Sequence, residues 1–484
     1  MSSPFEKTNR IHRIGTERTG ENVHMRKKGD TLDMLNGPLL GKILIFALPL
    51  ALTSLLQQLF NSADAAVVGQ FVSREALAAV GATTPVINMF VTLFVGLSVG
   101  SNVVAAIHLA WNDKAKVQDT VHTSMVLAIA SGLGLAVIGI VASKEILVLI
   151  STPAEVLDSA ADYLRIYFLG MPFAMVYNFG AALLRSQGDT RRPLYALIIS
   201  CAANLALDIA FVHMGWGIAG VAAATAIANA INAVLVIWWL SRERGPLQLH
   251  LHQLRVRKTP LLHILKVGVP AGIQGMVFSL SNVVIQASVN GFGPDAMAGS
   301  AAELNYECYS FFIISAFAQT AITFISQNYA RGYYKRCKRI FWMCMGCAIG
   351  FTVITCAIFA FNGRFFMGVF TTDEAAIEYA LVRLYRVGML EFFCATYEVT
   401  AGALRGMGRS TLPAIITIIG SVVLRVVWVY TVFAAFPTFE MLMDVYLVTW
   451  VITGGAMLTA YALIARKALR GEAAAEQPSA KAAA

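Results

Sequence analysis

LRSQGDTRRP at residues 184–193 returns as LRGMGRSTLP at residues 404–413, 220 positions later. Each is a turn of arginine, glycine and proline set between two apolar segments, and such a recurrence marks an internal duplication. The match extends outward. YLRIYFLGM at 163–171 pairs with LVRLYRVGM at 381–389 at an offset of 218, and Pro49, Asn61 and Phe71 fall on Pro270, Asn282 and Phe292 at an offset of 221. Ala76 and Ala78 meet Ala296 and Ala298 at 220. A period this long describes two halves, not a short-repeat solenoid.

Composition sets the solvent. The 484 residues are 57% hydrophobic and 13% charged, with mean hydropathy +0.66, whereas soluble domains carry about 25% charged residues. The chain therefore reads as an all-α integral membrane protein. A helix needs about 20 apolar residues to cross the hydrocarbon, and twelve such stretches begin near Gly41, Gly81, Thr120, Tyr163, Leu194, Gly217, Leu261, Ala301, Phe341, Ala380, Leu412 and Met443. The first follows some forty mostly polar residues and is longer than the apolar core of a signal peptide, so it reads as a retained span.

Formal net charge is +9, which could point to nucleic acid, so its distribution decides. With both termini cytoplasmic, 30 of the 37 lysines and arginines fall in inner segments, and only Arg74, Lys144 and Arg364 in outer loops. This asymmetry is the positive-inside rule, so topology accounts for the charge and no nucleic-acid partner is implied. Six spans per half is an even number, so the halves are parallel repeats about an axis along the membrane normal. The predicted organisation is a basic cytoplasmic tail over 1–38, a six-helix bundle over 39–241, a cytoplasmic linker over 242–260, a second six-helix bundle over 261–468 and a tail over 469–484. The first tail reads as solvated, and the alanine-rich last one as low complexity.

Two metal-like patterns fall away. Cys344 and Cys347 form a CxxC inside an apolar run with no second pair, and His250 and His252 in the linker have no third ligand nearby.

Carboxylates inside membrane helices cost about 2.5 to 3.5 kcal/mol each on insertion scales, so those present face a cavity. Gln57, Asn61 and Asp64 in the first span follow i, i+4, i+7 spacing and share one face. Asn204 and Asp208 in the fifth span are four apart and also share a face. Both aspartates lie near the outer ends of their helices, and Thr225 of the sixth span reaches a similar depth. Two carboxylates in a low-dielectric site resist joint ionisation, so the pair can take a proton near neutral pH, or the oxygens can coordinate a sodium ion. In the second half, Glu303 and Glu307 open the eighth span, and Arg425 lies midway along the eleventh. Glu391 and Glu398 bracket the depth of Arg425, which predicts a salt bridge among them.

These residues resemble the multidrug and toxic compound extrusion (MATE) family over about 39–466. The carriers are NSADAAVVGQF at 61–71, the two turns ending at Pro193 and Pro413, NLALD at 204–208 and GIAGVAAATAIA at 217–228. The resemblance implies a V-shaped pair of six-helix bundles that exports cationic amphiphilic small molecules in exchange for protons or sodium, with no cofactor. It further implies a monomer in a prokaryotic plasma or inner membrane. In the DinF-like branch the cation site lies in the N-terminal bundle, which carries onto Asp64, Asn204, Asp208 and Thr225, and a proline of the first helix bends, which carries onto Pro49. Gln57, Asn61, Tyr177 and Asn178 are the candidates for the substrate cavity. A NorM-like site would need an acid on the seventh span, which has none, although the tenth has Glu391 and Glu398.

A lipid-linked-precursor flippase on a related fold is the second reading, but it calls for more helices and a cationic cavity. A membrane enzyme would need a catalytic constellation, and no nucleophile motif, HExxH or phosphate loop accompanies the acids. The repeat itself fails at the chemistry: Asp64, Asn204 and Asp208 correspond to Ile285, Leu424 and Trp428, and Arg425 to Leu205.

Overall fold

A computed structural model of the chain describes residues 32–150 and 152–481, and every regular element among them is helical. The basic residues from Lys7 to Lys28 that were expected in a solvated tail lie outside the described residues. The first half comprises α1 (Leu40–Phe71), α2 (Arg74–Ala110), α3 (Lys114–Leu149), α4 (Ala154–Leu169), α5 (Met171–Ser186), α6 (Arg191–His213) and α7 (Gly217–Arg242). The second comprises α8 (Lys258–Asn290), α9 (Pro294–Ala330), α10 (Tyr334–Phe361), α11 (Glu374–Arg386), α12 (Phe392–Gly406), α13 (Thr411–Phe433) and α14 (Phe439–Lys481).

Ten of these helices are long and apolar enough to cross a membrane, and α4 with α5 forms an eleventh span, bent by 45°. Its counterpart in the repeat, α11 with α12, is the twelfth. It carries seven glutamates and arginines from Glu374 to Arg405. The twelve-helix architecture is therefore observed. Most spans start before the predicted positions, the fourth at Ala154 instead of near Tyr163, because a polar first turn can be helical without being hydrophobic. The last helix also runs on to Lys481, into the alanine-rich segment read as low complexity; alanine is the best helix former.

The repeated motifs fall where the chain must break or turn. Both nine-residue motifs end in Gly-Met at an interrupted span. A Cβ at Gly170 would come within 2.9 Å of the Ala226 backbone, and one at Gly388 within 2.7 Å of Glu303 Oε1. In the two decapeptide turns Gly188 and Gly408 have φ of +99° and +74°, which glycine adopts without steric cost.

The two halves interlock. Along α2, Gly96 and Gly100 repeat at four-residue spacing, as do Gly268 and Gly272 on α8, and a Cβ at Gly96 would lie 2.2 Å from Gly272 N. Small residues at this spacing let membrane helices pack backbone to backbone. Toward the end that carries the linker, Trp111 Nε1 donates to Ala330 O (3.0 Å), Gln327 Nε2 to Ser186 O (2.7 Å) and Thr323 Oγ1 to Asn102 Oδ1 (3.2 Å).

Helix α1 belongs to both cores. Leu39, Ile43, Phe46, Ala47 and Leu50 pack into the second bundle's core, with Phe46 edge-on to Phe324 at 5.4 Å. Val67 and Val68, farther along, pack with Val221 of the first bundle. Pro49 sits at the end of the segment held by the second bundle.

Candidate functional site in the first bundle

The halves of α1, α6 and α7 farther from the linker bring four polar side chains together. Asp64, Asn204, Asp208 and Thr225 are 6%, 1%, 0% and 3% exposed. The Thr225 hydroxyl lies 3.1 Å from Asp64 Oδ2 and 3.0 Å from Val221 O. With its amide nitrogen turned toward the acids, Asn204 donates to Asp64 Oδ1 at 2.8 Å and to Asp208 Oδ2 at 3.2 Å. One amide thus bridges two carboxylates, leaving Asp208 Oδ1 without a protein partner among the described residues. Tyr163 of α4 lies near both acids and Tyr167 near Asp64.

Two carboxylates this close cannot both stay charged cheaply without a compensating cation. The open acceptor at Asp208 Oδ1 can take a proton. The donor set of two carboxylates, a hydroxyl and, with the amide reversed, an amide oxygen also suits sodium, which prefers oxygen ligands. No group of three or more His, Cys, Asp or Glu with metal-binding geometry occurs among the described residues.

Beside this cluster lies a cavity of about 300 Å³. Gln57, Asn61, Tyr177 and Asn178 all line it, together with Asn88, Tyr167, Asn229 and Asn232. Tyr177 donates to Pro193 O at 3.1 Å and Asn178 to Ala174 O at 2.9 Å, so each is already anchored at the wall. The shared face of Gln57, Asn61 and Asp64 is divided: the first two look into the cavity, whereas Asp64 is buried against α6 and α7. Thr225 touches both, lining the cavity and bonding Asp64. Asn229 and Asn232 were not singled out from the sequence, although Thr225, Asn229 and Asn232 repeat the i, i+4, i+7 pattern noted for α1. Tyr163 and Tyr167 sit inside the repeated motif that was read only for its symmetry.

The second bundle corrects one expectation. Arg425, 1% exposed, makes no salt bridge with Glu391 or Glu398; it donates to Asn282 Oδ1 at 3.0 Å and lies over the rings of Phe278 and Tyr446 at 5.1 and 4.5 Å. Depth along a helix does not fix azimuth, and the glutamates have other neighbours. Glu398 lies near Arg405, which donates to Gln274 Oε1 at 2.8 Å. The ion pairing belongs instead to Arg383, which bonds Glu303 Oε2 at 2.6 Å and Glu307 Oε2 at 2.7 Å.

Two parallel six-helix bundles, closed on each other at one end and holding buried ionisable groups beside a cavity, define a membrane transporter. The MatE family profile matches residues 49–210 and again 270–431, the same 221-residue offset at which Pro49 meets Pro270. The chain belongs to the MatE family. The probable multidrug resistance protein YoeA of Bacillus subtilis is 26% identical over 388 residues, 77% of this chain and 82% of that protein. The probable multidrug resistance protein NorM of Thermotoga maritima is 26% identical over 384 residues, 78% of this chain and 82% of its own length. Among solved structures, a MOP superfamily transporter from Pyrococcus furiosus shares the fold at TM-score 0.83 and 20% identity, covering 91% of this chain and 98% of that one.

Proposed function

We propose that this protein is a multidrug efflux antiporter that exports cationic amphiphiles in exchange for protons, with a DinF-like cation site at Asp64, Asn204, Asp208 and Thr225. The observation that carries this reading is Thr225, a single hydroxyl shared between the acid cluster and the polar cavity. The names of the relatives support the multidrug part. The linker end is read as cytoplasmic from its basic residues, so the contacts there seal the inner side and the first-bundle cavity faces outward.

Ionised, the two aspartates give the adjoining cavity a negative potential that holds a cation. A proton arriving at Asp208 Oδ1 halves the negative charge of the pair, weakens that attraction and frees the Asn204 amide from bridging two charges. Cation and substrate therefore favour different states of one bundle, which is what exchange requires. Pro49 leaves Ile45 O without its helical donor, so bending α1 where it leaves the second bundle's core costs little. Each chain contains both bundles, and we read the monomer as the working unit.

The test is export of a cationic dye from reconstituted vesicles. A protonophore is expected to stop export and sodium removal to leave it intact, while Asp208→Asn lowers it to the level of empty vesicles and still elutes as folded protein. Export that survives in Asp208→Asn would sink the assignment of the site. If sodium removal alone stops export, the coupling ion is sodium at the same residues.

A further inference from the structure

The second bundle contains its own cavity, about 220 Å³, lined on one side by Arg425 and on another by Glu391. Both are almost wholly enclosed, at 1% and 2% exposure, yet no ion pair joins them. Arg425 spends one amino group on Asn282, and its Nε and Nη2 have no partner among the described residues; the same holds for Glu391 Oε2 and for Trp450 Nε1 on the cavity wall. The other charges facing this space are Arg383 and Glu307, which bond each other, Arg383 also holding Glu303.

Isolated buried charges are costly, and a protein ordinarily pairs them. Here a guanidinium and a carboxyl group line one cavity without meeting, and the rings of Phe278, Tyr397, Tyr446 and Trp450 enclose the space around them. The backbone around Arg425 is irregular in the same place: α13 winds as π-helix over Ile418–Val423 and over Val429–Phe433, on both sides of the arginine. Such widened turns concentrate at functional sites. The corresponding helix α6 is regular and carries Leu205 at this position.

We propose that this cavity is a binding site for zwitterionic aromatic compounds. The carboxylate of the ligand lies on the free fork of Arg425, its ammonium group at Glu391, and its ring among the aromatic side chains. A planar guanidinium with two free donors matches a carboxylate in a bidentate manner. The cation–π contacts with Phe278 and Tyr446 hold that fork in place. The site is separate from the acid cluster of the first bundle and goes beyond the efflux reading, because binding here requires neither export nor a gradient.

The test uses three probes on one ring frame, an aminomethyl-naphthoate, the corresponding methyl-naphthoate and the corresponding naphthylmethylamine, titrated into the purified full-length protein. The zwitterion is expected to bind the wild type at least about tenfold more tightly than either single-charge probe, the worth of one charged hydrogen bond. Arg425→Gln should erase the advantage over the naphthylmethylamine and Glu391→Gln the advantage over the methyl-naphthoate, and Asp208→Asn should leave both unchanged. Equal affinity of the three probes for the wild type would overturn the proposal, whether or not the Arg425 variant folds. So would an advantage over the naphthylmethylamine that persists in folded Arg425→Gln. Persistence of zwitterion binding in an Asp208→Asn protein that no longer exports dye separates this site from the first.

Discussion

Thr225 has one hydroxyl proton and two acceptors within reach, Asp64 Oδ2 and Val221 O, so its bond can switch with the charge on Asp64. Thr225→Ala removes the switch, and we expect the initial export rate to fall about tenfold, as for a lost hydrogen bond to a charged group, with Thr225→Ser restoring most of it. Equal rates in the alanine and serine variants would show that the hydroxyl is idle. Arg383 carries a structural load of a different kind. It is 3% exposed and pairs with both Glu303 and Glu307, so Arg383→Gln leaves buried carboxylates unpaired at a cost of about 3 to 5 kcal/mol. A large drop in melting temperature is expected, partly reversed by adding Glu303→Gln. At this scale the sequence announced the acids of the first bundle clearly, because a carboxylate in an apolar run has few benign explanations. It misdirected on Arg425, whose neighbours depend on azimuth and on π-helical winding that residue spacing does not encode.

Helix α1 has its two halves in different cores. Residues from Leu39 to Leu50 pack with the second bundle and Val67 and Val68 with the first. Pro49 lies where the first segment ends, and Thr53 Oγ1 bonds Pro49 O at 2.7 Å, a back-bond of the sort that bends helices. Pro49→Ala supplies the missing donor to Ile45 O and should strengthen the helix by up to about 3 kcal/mol. The expected outcome is slower amide exchange around Ile45, a higher melting temperature and slower export. Export at the wild-type rate in a stiffened helix would remove Pro49 from the mechanism. The proline and its spacing were readable from the chain; that it stands at the handover between two cores was not, since packing partners are set by the fold.

The whole molecule is held closed at one end by the crossing of α2 and α8, where glycines let two backbones touch. Gly96→Val places side-chain atoms where Gly272 N already lies, so the crossing must part. We expect a cysteine introduced at Asn102, buried in this interface, to become reactive toward a water-soluble maleimide in the Gly96→Val background while remaining protected otherwise. Protection in both backgrounds would mean that this crossing is not the seal. The sequence by itself determined the solvent, the twelve spans, the duplication and the failure of that duplication at the acids, because each rests on the composition or spacing of one segment and on the cost of placing polar groups in hydrocarbon. Only the tertiary structure decided which face each polar helix turns to which neighbour: that Thr225 joins the acid cluster to the cavity, that α1 is shared between the cores, and that Arg425 and Glu391 face one cavity unpaired. Those are relations between different helices, the first two between segments more than a hundred residues apart, and they follow from helix azimuth and packing, which no single stretch of the chain specifies.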